Sequence, residues 1–167
     1  MNVIDLENLY DYGYWANAQL FRALSALTPE QFTQAIGGSY GSIRNTLVHS
    51  MSAEWGWLER CGGRKRGPRL KAEDYATVES LVEAWSRVER DVREFLSGLK
   101  DEDLSREVEL QNPVGETRSM TVGELMQHAA NHSVHHRGQA TLLLRMLGHA
   151  PGYLDLLVYY AWQRSVQ

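Results

Sequence analysis

Among its 167 residues the chain has a single cysteine, Cys61, only four prolines and only three phenylalanines. One thiol cannot close an internal disulfide, so neither a disulfide framework nor an oxidising compartment is indicated. Cys61 reads as a packing residue at a helix end, since a nucleophile needs a neighbourhood that stabilises its thiolate. Prolines this sparse leave room for long uninterrupted helices. Positive charge is not in excess either: 17 Lys and Arg stand against 21 Asp and Glu, a formal net charge of −4. A nucleic-acid partner calls for a basic face, and an anionic membrane surface calls for the same. The one basic cluster, "RKRGPR" at 64–69, reads as a solvated loop. No apolar run approaches the length of a membrane span. The start "MNVIDLENLY" is acidic and lacks a long apolar run, so no signal peptide is expected. The expectation is a cytoplasmic protein with no nucleic-acid partner and no membrane partner.

What the chain does have is helical periodicity. Its length suits one domain, 1–167, with a single core. Leu6, Leu9, Tyr10, Ala16, Leu20, Leu24 and Leu27 recur at three- and four-residue steps and predict a helix over about 4–26. "TPEQF" then supplies Thr28 as N-cap, a proline in the first helical position and a short helical turn. "AIGGSYGS" reads as a loop, after which Ser42 or Gly41 begins a second long helix to about 61. The cleanest stripe is the third: Val78, Leu81, Val82, Trp85, Val88, Val92, Phe95, Leu96 and Leu99, capped by Thr77 and ended near Gly98. "EVEL" and "ETRSM" alternate around "NPVG" and predict a short β-hairpin or an extended excursion. Thr121 with Glu124 makes a capping box for a fourth long helix, which runs to about Leu147, where "GHAPG" stops it. A short apolar helix, "LDLLVYYAWQ", follows and must pack on the bundle or on another subunit. The expected fold class is all-α, a four-helix bundle.

Four of the six histidines fall in "HAANHSVHHRGQ", residues 128–139. At about 100° per residue from Val122, Leu125, Ala129, Ala140, Leu143 and Leu147 span roughly 300° to 0°. His136 falls near about 320° and His132 near about 280°, in or at the edge of that apolar arc. His128 and His135, near about 240° and 220°, lie on its flank. Two histidines four apart on one helical face can meet at one metal ion, as in HExxH. Here Ser133 stands where that motif has its glutamate, which excludes a direct match to that class of metalloprotease. By spacing alone, the pair suits either a metal site or a wet helix face. His49, the histidine of the second long helix, is equally open. It lies outside the apolar arc of Ile43, Leu47, Val48, Met51, Trp55 and Leu58 and shares its side with Ser42, Asn45, Thr46, Ala53 and Gly56. That stripe suits close approach of another helix, a metal or a substrate, and it also suits an exposed face.

"NHSVHHRGQ" at 131–139, with "LVHSMSAEWGWL" at 47–58 upstream, closely resembles the DinB/YfiT-like family of metalloenzyme candidates. "LYDYGYWANAQLFRAL" and "GETRSMTVGELMQHAANHSVHHRGQATLLLRMLG" follow the same order, so the resemblance spans nearly the whole chain. It implies an up-down-down-up four-helix bundle, commonly assembled as a homodimer. It also implies a divalent metal held by His49, His132 and His136, with His128 and His135 beside the site but outside the ligand set. Zinc or nickel suits three imidazoles best, with iron, copper or manganese as further possibilities. Three protein ligands leave an open coordination position, the catalytic rather than the closed structural pattern. Arg137 points well away from His136 on the helical wheel and reads as a salt-bridging structural residue, with anion binding as the alternative. Gln139 lies beside the histidines and suits a hydrogen bond to one of them.

Two functional classes follow. The first is a metal-dependent enzyme: a transferase or isomerase that activates a small-molecule thiol, or a hydrolase using metal-bound hydroxide. Residues 62–76 and the hairpin would shape its pocket. The hydrolase version lacks an adjacent acid to serve as base. The second class is a non-enzymatic metal-binding stress-response protein or a dimeric interaction module.

Overall fold

A computed structural model describes residues 1–65, 67–111 and 114–166. The described residues fold into six α-helices and one two-stranded hairpin: α1 (Val3–Leu24), α2 (Pro29–Thr33), α3 (Ile43–Cys61), α4 (Val78–Ser97), β1 (Glu107–Gln111), β2 (Thr117–Thr121), α5 (Val122–Met146) and α6 (Leu156–Ser165). The fold is thus mostly helical, and of the two readings of the segment before the last long helix, hairpin or extended excursion, the hairpin is the one observed. β1 and β2 pair antiparallel, with Glu107 opposite Thr121 and Gln111 opposite Thr117. The tip residues 112 and 113 of "NPVG" lie outside the described residues.

Local chemistry sets the helix starts. Thr28, Thr77 and Thr121 cap α2, α4 and α5 through their side-chain oxygens, each with a reciprocal bond from the third helical residue. Ser42 caps α3, so Gly41 belongs to the loop. Asn2 and Asp5 form a further capping box that starts α1 at Val3 and satisfies two backbone donors at once. α6 runs two residues later than the pattern "LDLLVYYAWQ" suggests, with Asp155 in the N-cap position but no side-chain cap bond.

The apolar stripes become the core. Val78, Leu81, Trp85, Val88, Val92 and Leu96 of α4 are buried, and they share one core with Leu6, Tyr10, Leu20 and Leu24 of α1, Leu47, Met51 and Leu58 of α3, and Leu125, Met126 and Leu143 of α5. α5 packs on α1 and α3, and α4 packs on the same two helices. Long-range hydrogen bonds gather four helix ends at one end of the molecule. Val3 N–H, at the start of α1, donates to Asp101 Oδ1 in the turn after α4 (2.8 Å). Arg106, just beyond that turn, donates to the Cys61 carbonyl at the end of α3. Its own carbonyl accepts from Val122 N–H, the first residue of α5 (2.9 Å).

The segment after α3 runs back along that helix before α4 begins. Leu70 N–H donates to Ser52 Oγ at 3.1 Å. Gly67 lies so close to the Trp55 indole that a Cβ there would sit 2.6 Å from the ring, which explains a glycine in this stretch. The described residues of "RKRGPR" form no regular structure; residue 66 is outside them. Cys61 is buried at the end of α3, and burial pushes its thiol up to about 11, as suits a packing residue rather than a nucleophile. No helix among the described residues is long and apolar enough to cross a membrane.

Candidate metal centre

The closest helix pairing, α3 against α5, builds the site. Ser42 and Thr46 are almost wholly buried and Gly56 is buried with them, so the stripe of small residues beside His49 is an interface, not a wet face. Small side chains bring the two backbones close. His49 is thereby carried onto the pair from α5. His132 Nε2 lies 3.3 Å from His49 Nε2 and 3.1 Å from His136 Nε2. One donor atom of each histidine falls within 4.8 Å of both others, and no carboxylate or thiol of the described residues joins the group. His136 is buried; His49 and His132 are half-buried.

These distances fit a shared ion. Nitrogen ligands at about 2.0–2.1 Å from one ion are themselves roughly 3.3–3.4 Å apart in a tetrahedral arrangement and roughly 2.8–3.0 Å apart in an octahedral one. The protonation pattern fits as well. His136 Nδ1 is 2.8 Å from Gln139 Oε1, an acceptor, so Nδ1 carries the hydrogen and the Nε2 lone pair faces its neighbours. The Gln139 amide nitrogen lies 3.0 Å from His135 Nε2, so the amide bridges the two imidazoles. A proton between two ring nitrogens serves only that pair. A cation serves three converging lone pairs together.

His132 and His136 resist protonation. Burial, and after it the neighbouring His136, His49, His128 and His135, push His132 down to about 4. His136 is lowered too, by burial first and by His135, against an opposing contribution from Gln139. An unfolded histidine titrates near about 6.5, so as pH falls the unfolded chain takes up protons before the folded one. Stability of the metal-free protein is therefore full above about pH 6.5 and declines towards about pH 4. Urea midpoints of chelator-treated protein at pH 7.5 and pH 5 will show the decline, and His132→Asn will reduce it. An unchanged slope in that variant would place the acid sensitivity elsewhere.

The profile of the DinB family matches residues 1–166. The chain belongs to the DinB family. It is 32% identical over 158 residues to Protein DinB of Bacillus subtilis, covering 90% of this chain and 91% of that protein. A second Bacillus subtilis relative, the uncharacterized protein YizA, is 29% identical over 146 residues, covering 85% of this chain and 87% of that one. A crystal structure of a DinB-like protein from Bacillus cereus shares the fold with a TM-score of 0.71, at 21% identity, covering 91% of this chain and 97% of that one.

In this DinB family chain His128 and His135 are exposed and stand beside the cluster, as their helical phase suggests. His128 meets the Trp57 ring edge-on at 5.3 Å, and His135 meets His136 at 4.9 Å. Arg137 differs from the sequence expectation. It is 4% exposed, and among the described residues it meets no carboxylate at ion-pair distance. Its guanidinium donates to Asn17 Oδ1 (3.1 Å) and the Gly13 carbonyl (3.3 Å) and lies over the Tyr12 ring. The reason is positional: its side of α5 packs on α1, where Asn17 and the Gly13 carbonyl take the place of the expected acid.

Tyr40 escapes sequence reading altogether. Its hydroxyl lies 2.9 Å from His49 Nε2, and its ring stacks on His49 at 4.2 Å and meets His136 edge-on at 5.5 Å. The available signal is slight: it is the only Phe, Tyr or Trp between Phe32 and Trp55, in a glycine-rich loop just before the α3 cap.

Proposed function

We propose that this chain is a divalent-metal-dependent enzyme whose ion is held by His49, His132 and His136, with an open position for a small exogenous thiol. The observation that carries the reading is the convergence of three imidazole nitrogens, contributed by two helices, within 4.8 Å of one another. When bound, zinc, nickel or a similar ion supplies Lewis acidity that lowers the pKa of a thiol or water in the open position. Gln139 holds His136 in the ligand tautomer, and the α3–α5 interface holds His49 in place. The thiol-dependent transferase or isomerase is favoured over the hydrolase because no acid joins the cluster to serve as base for attacking water. Buried Cys61 cannot replace the external thiol.

The assembly belongs to the same proposal. The helix ends gathered by Val3, Cys61, Arg106 and Val122 support an up-down-down-up four-helix bundle. Exposed Leu157, Tyr160 and Trp162 on α6 supply apolar surface for a homodimer. A cytoplasmic setting suits a chain with one buried thiol.

The test is direct. Protein purified without chelator should carry about one divalent ion per chain, the stoichiometry of a single His₃ site. A cobalt-loaded sample should change its visible spectrum on addition of a small thiol. Failure to take up any divalent metal sinks the proposal; uptake without response to thiol or water exchange marks a closed structural ion instead.

A further inference from the structure

Tyr40 occupies a position that the three-histidine reading does not use. Its loop is closed on itself by Ile36 and Gly37 N–H groups donating to the Gly41 carbonyl (2.8 and 3.2 Å). Gly37, Gly38 and Gly41 hold it in left-handed backbone conformations that other residues rarely adopt. The loop is also tied to both helices of the site. Asn45 Nδ2 of α3 donates to the Tyr40 carbonyl (3.0 Å), and Gln139 Nε2 of α5 donates to Ser39 Oγ (3.5 Å). Stacking on His49 then fixes the phenol ring over the imidazoles.

The hydroxyl contacts the His49 nitrogen that would hold the ion. That nitrogen has either a hydrogen or one lone pair to offer. In whichever tautomer His49 meets the Tyr40 oxygen at 2.9 Å, coordination takes the same nitrogen, so loading removes this hydrogen bond. The ring remains stacked and the loop remains tied, so the hydroxyl stays beside the centre with a hydrogen to donate. A group in the remaining position would neighbour the same nitrogen that the hydroxyl reaches.

We infer that Tyr40 is the hydrogen-bond donor to an anionic ligand held in the open position, and so a specificity-determining residue of the site; this rests on the metal reading above. The ligand class is one whose metal-bound atom keeps a spare lone pair: a thiolate, a hydroxide or an azide. A neutral imidazole gives its only lone pair to the ion and gains nothing from the hydroxyl.

Cobalt-loaded parent and Tyr40→Phe proteins, titrated separately with azide and imidazole and followed by their visible spectra, test this. Phenylalanine keeps the stack and removes only the hydroxyl. Azide affinity should fall about tenfold in the variant, the size of one hydrogen bond to a charged acceptor, while imidazole affinity holds within about twofold. Equal azide affinity in the two proteins overturns the inference and leaves the metal reading standing. Parallel loss of azide and imidazole also overturns it, since a general disturbance of the site is then the cause. Absence of cobalt uptake by the parent overturns the metal reading and the inference with it; uptake lost only in the variant overturns the inference alone.

Discussion

His132→Ala is expected to weaken divalent-metal binding by at least about a hundredfold, more than loss of a group that only orients a ligand. The His132 Nε2 lies 3.3 Å from His49 Nε2 and 3.1 Å from His136 Nε2, so its removal takes one of three converging ligands and leaves two. Competition with a chromophoric chelator measures the loss. His128→Ala is the matched control, because its exposed ring stands 5.9 Å from that of His132 and belongs to no ligand set here. That variant should stay within about threefold of the parent, as expected for a surface substitution. Without metal, His132→Ala should fold as well as the parent, because it removes a half-buried imidazole crowded by four others. Equal metal affinity in His132→Ala and the parent would put the ion elsewhere.

Glu54→Ala should destabilise the fold by about 3–5 kcal/mol, the cost of removing one partner from a buried charged network. Glu54 is 4% exposed in the middle of α3. Its Oε1 accepts from the Tyr14 hydroxyl (2.6 Å) and its Oε2 from the Trp85 indole N–H (2.8 Å). Burial raises the pKa of its carboxyl, while bonds from Tyr14 and Trp85 and the charge of Arg137 oppose that rise. Alanine strands two buried donors and leaves Arg137 without its counter-charge. Glutamine keeps the shape but turns a donor towards Tyr14 or Trp85, so an intermediate loss of about 1–3 kcal/mol is expected. Thermal unfolding reads the series; at roughly 2–4 °C per kcal/mol for a chain of this size, Glu54→Ala should melt roughly 10 °C lower. A shift in Trp85 fluorescence should accompany it. A loss below about 0.5 kcal/mol would show that the network carries no stability.

The two predictions differ in how far they were legible. The inward pair His132 and His136 follows from helical phase alone, and the four-residue step guarantees that the rings are neighbours. Glu54 carries no such mark. It stands among "SMSAEWGW" as an ordinary helical acid, and only the meeting of α1, α3 and α4 supplies its two donors.

The sequence by itself determined the long helices and the caps that start α2, α4 and α5, which faces are apolar, and that His132 and His136 share one side. Caps, stripes and i, i+4 spacing are properties of neighbouring residues, and a helix fixes them before it touches anything else. Tertiary structure decided the rest. Whether the small-residue side of α3 is wet or packed depends on how near α5 comes, and that settles whether His49 joins the pair. The burial of Arg137 and the stacking of Tyr40 depend on α1 and on the loop before α3, which approach from far along the chain. Such contacts are fixed by the order and separation of packed helices, and no local period encodes them.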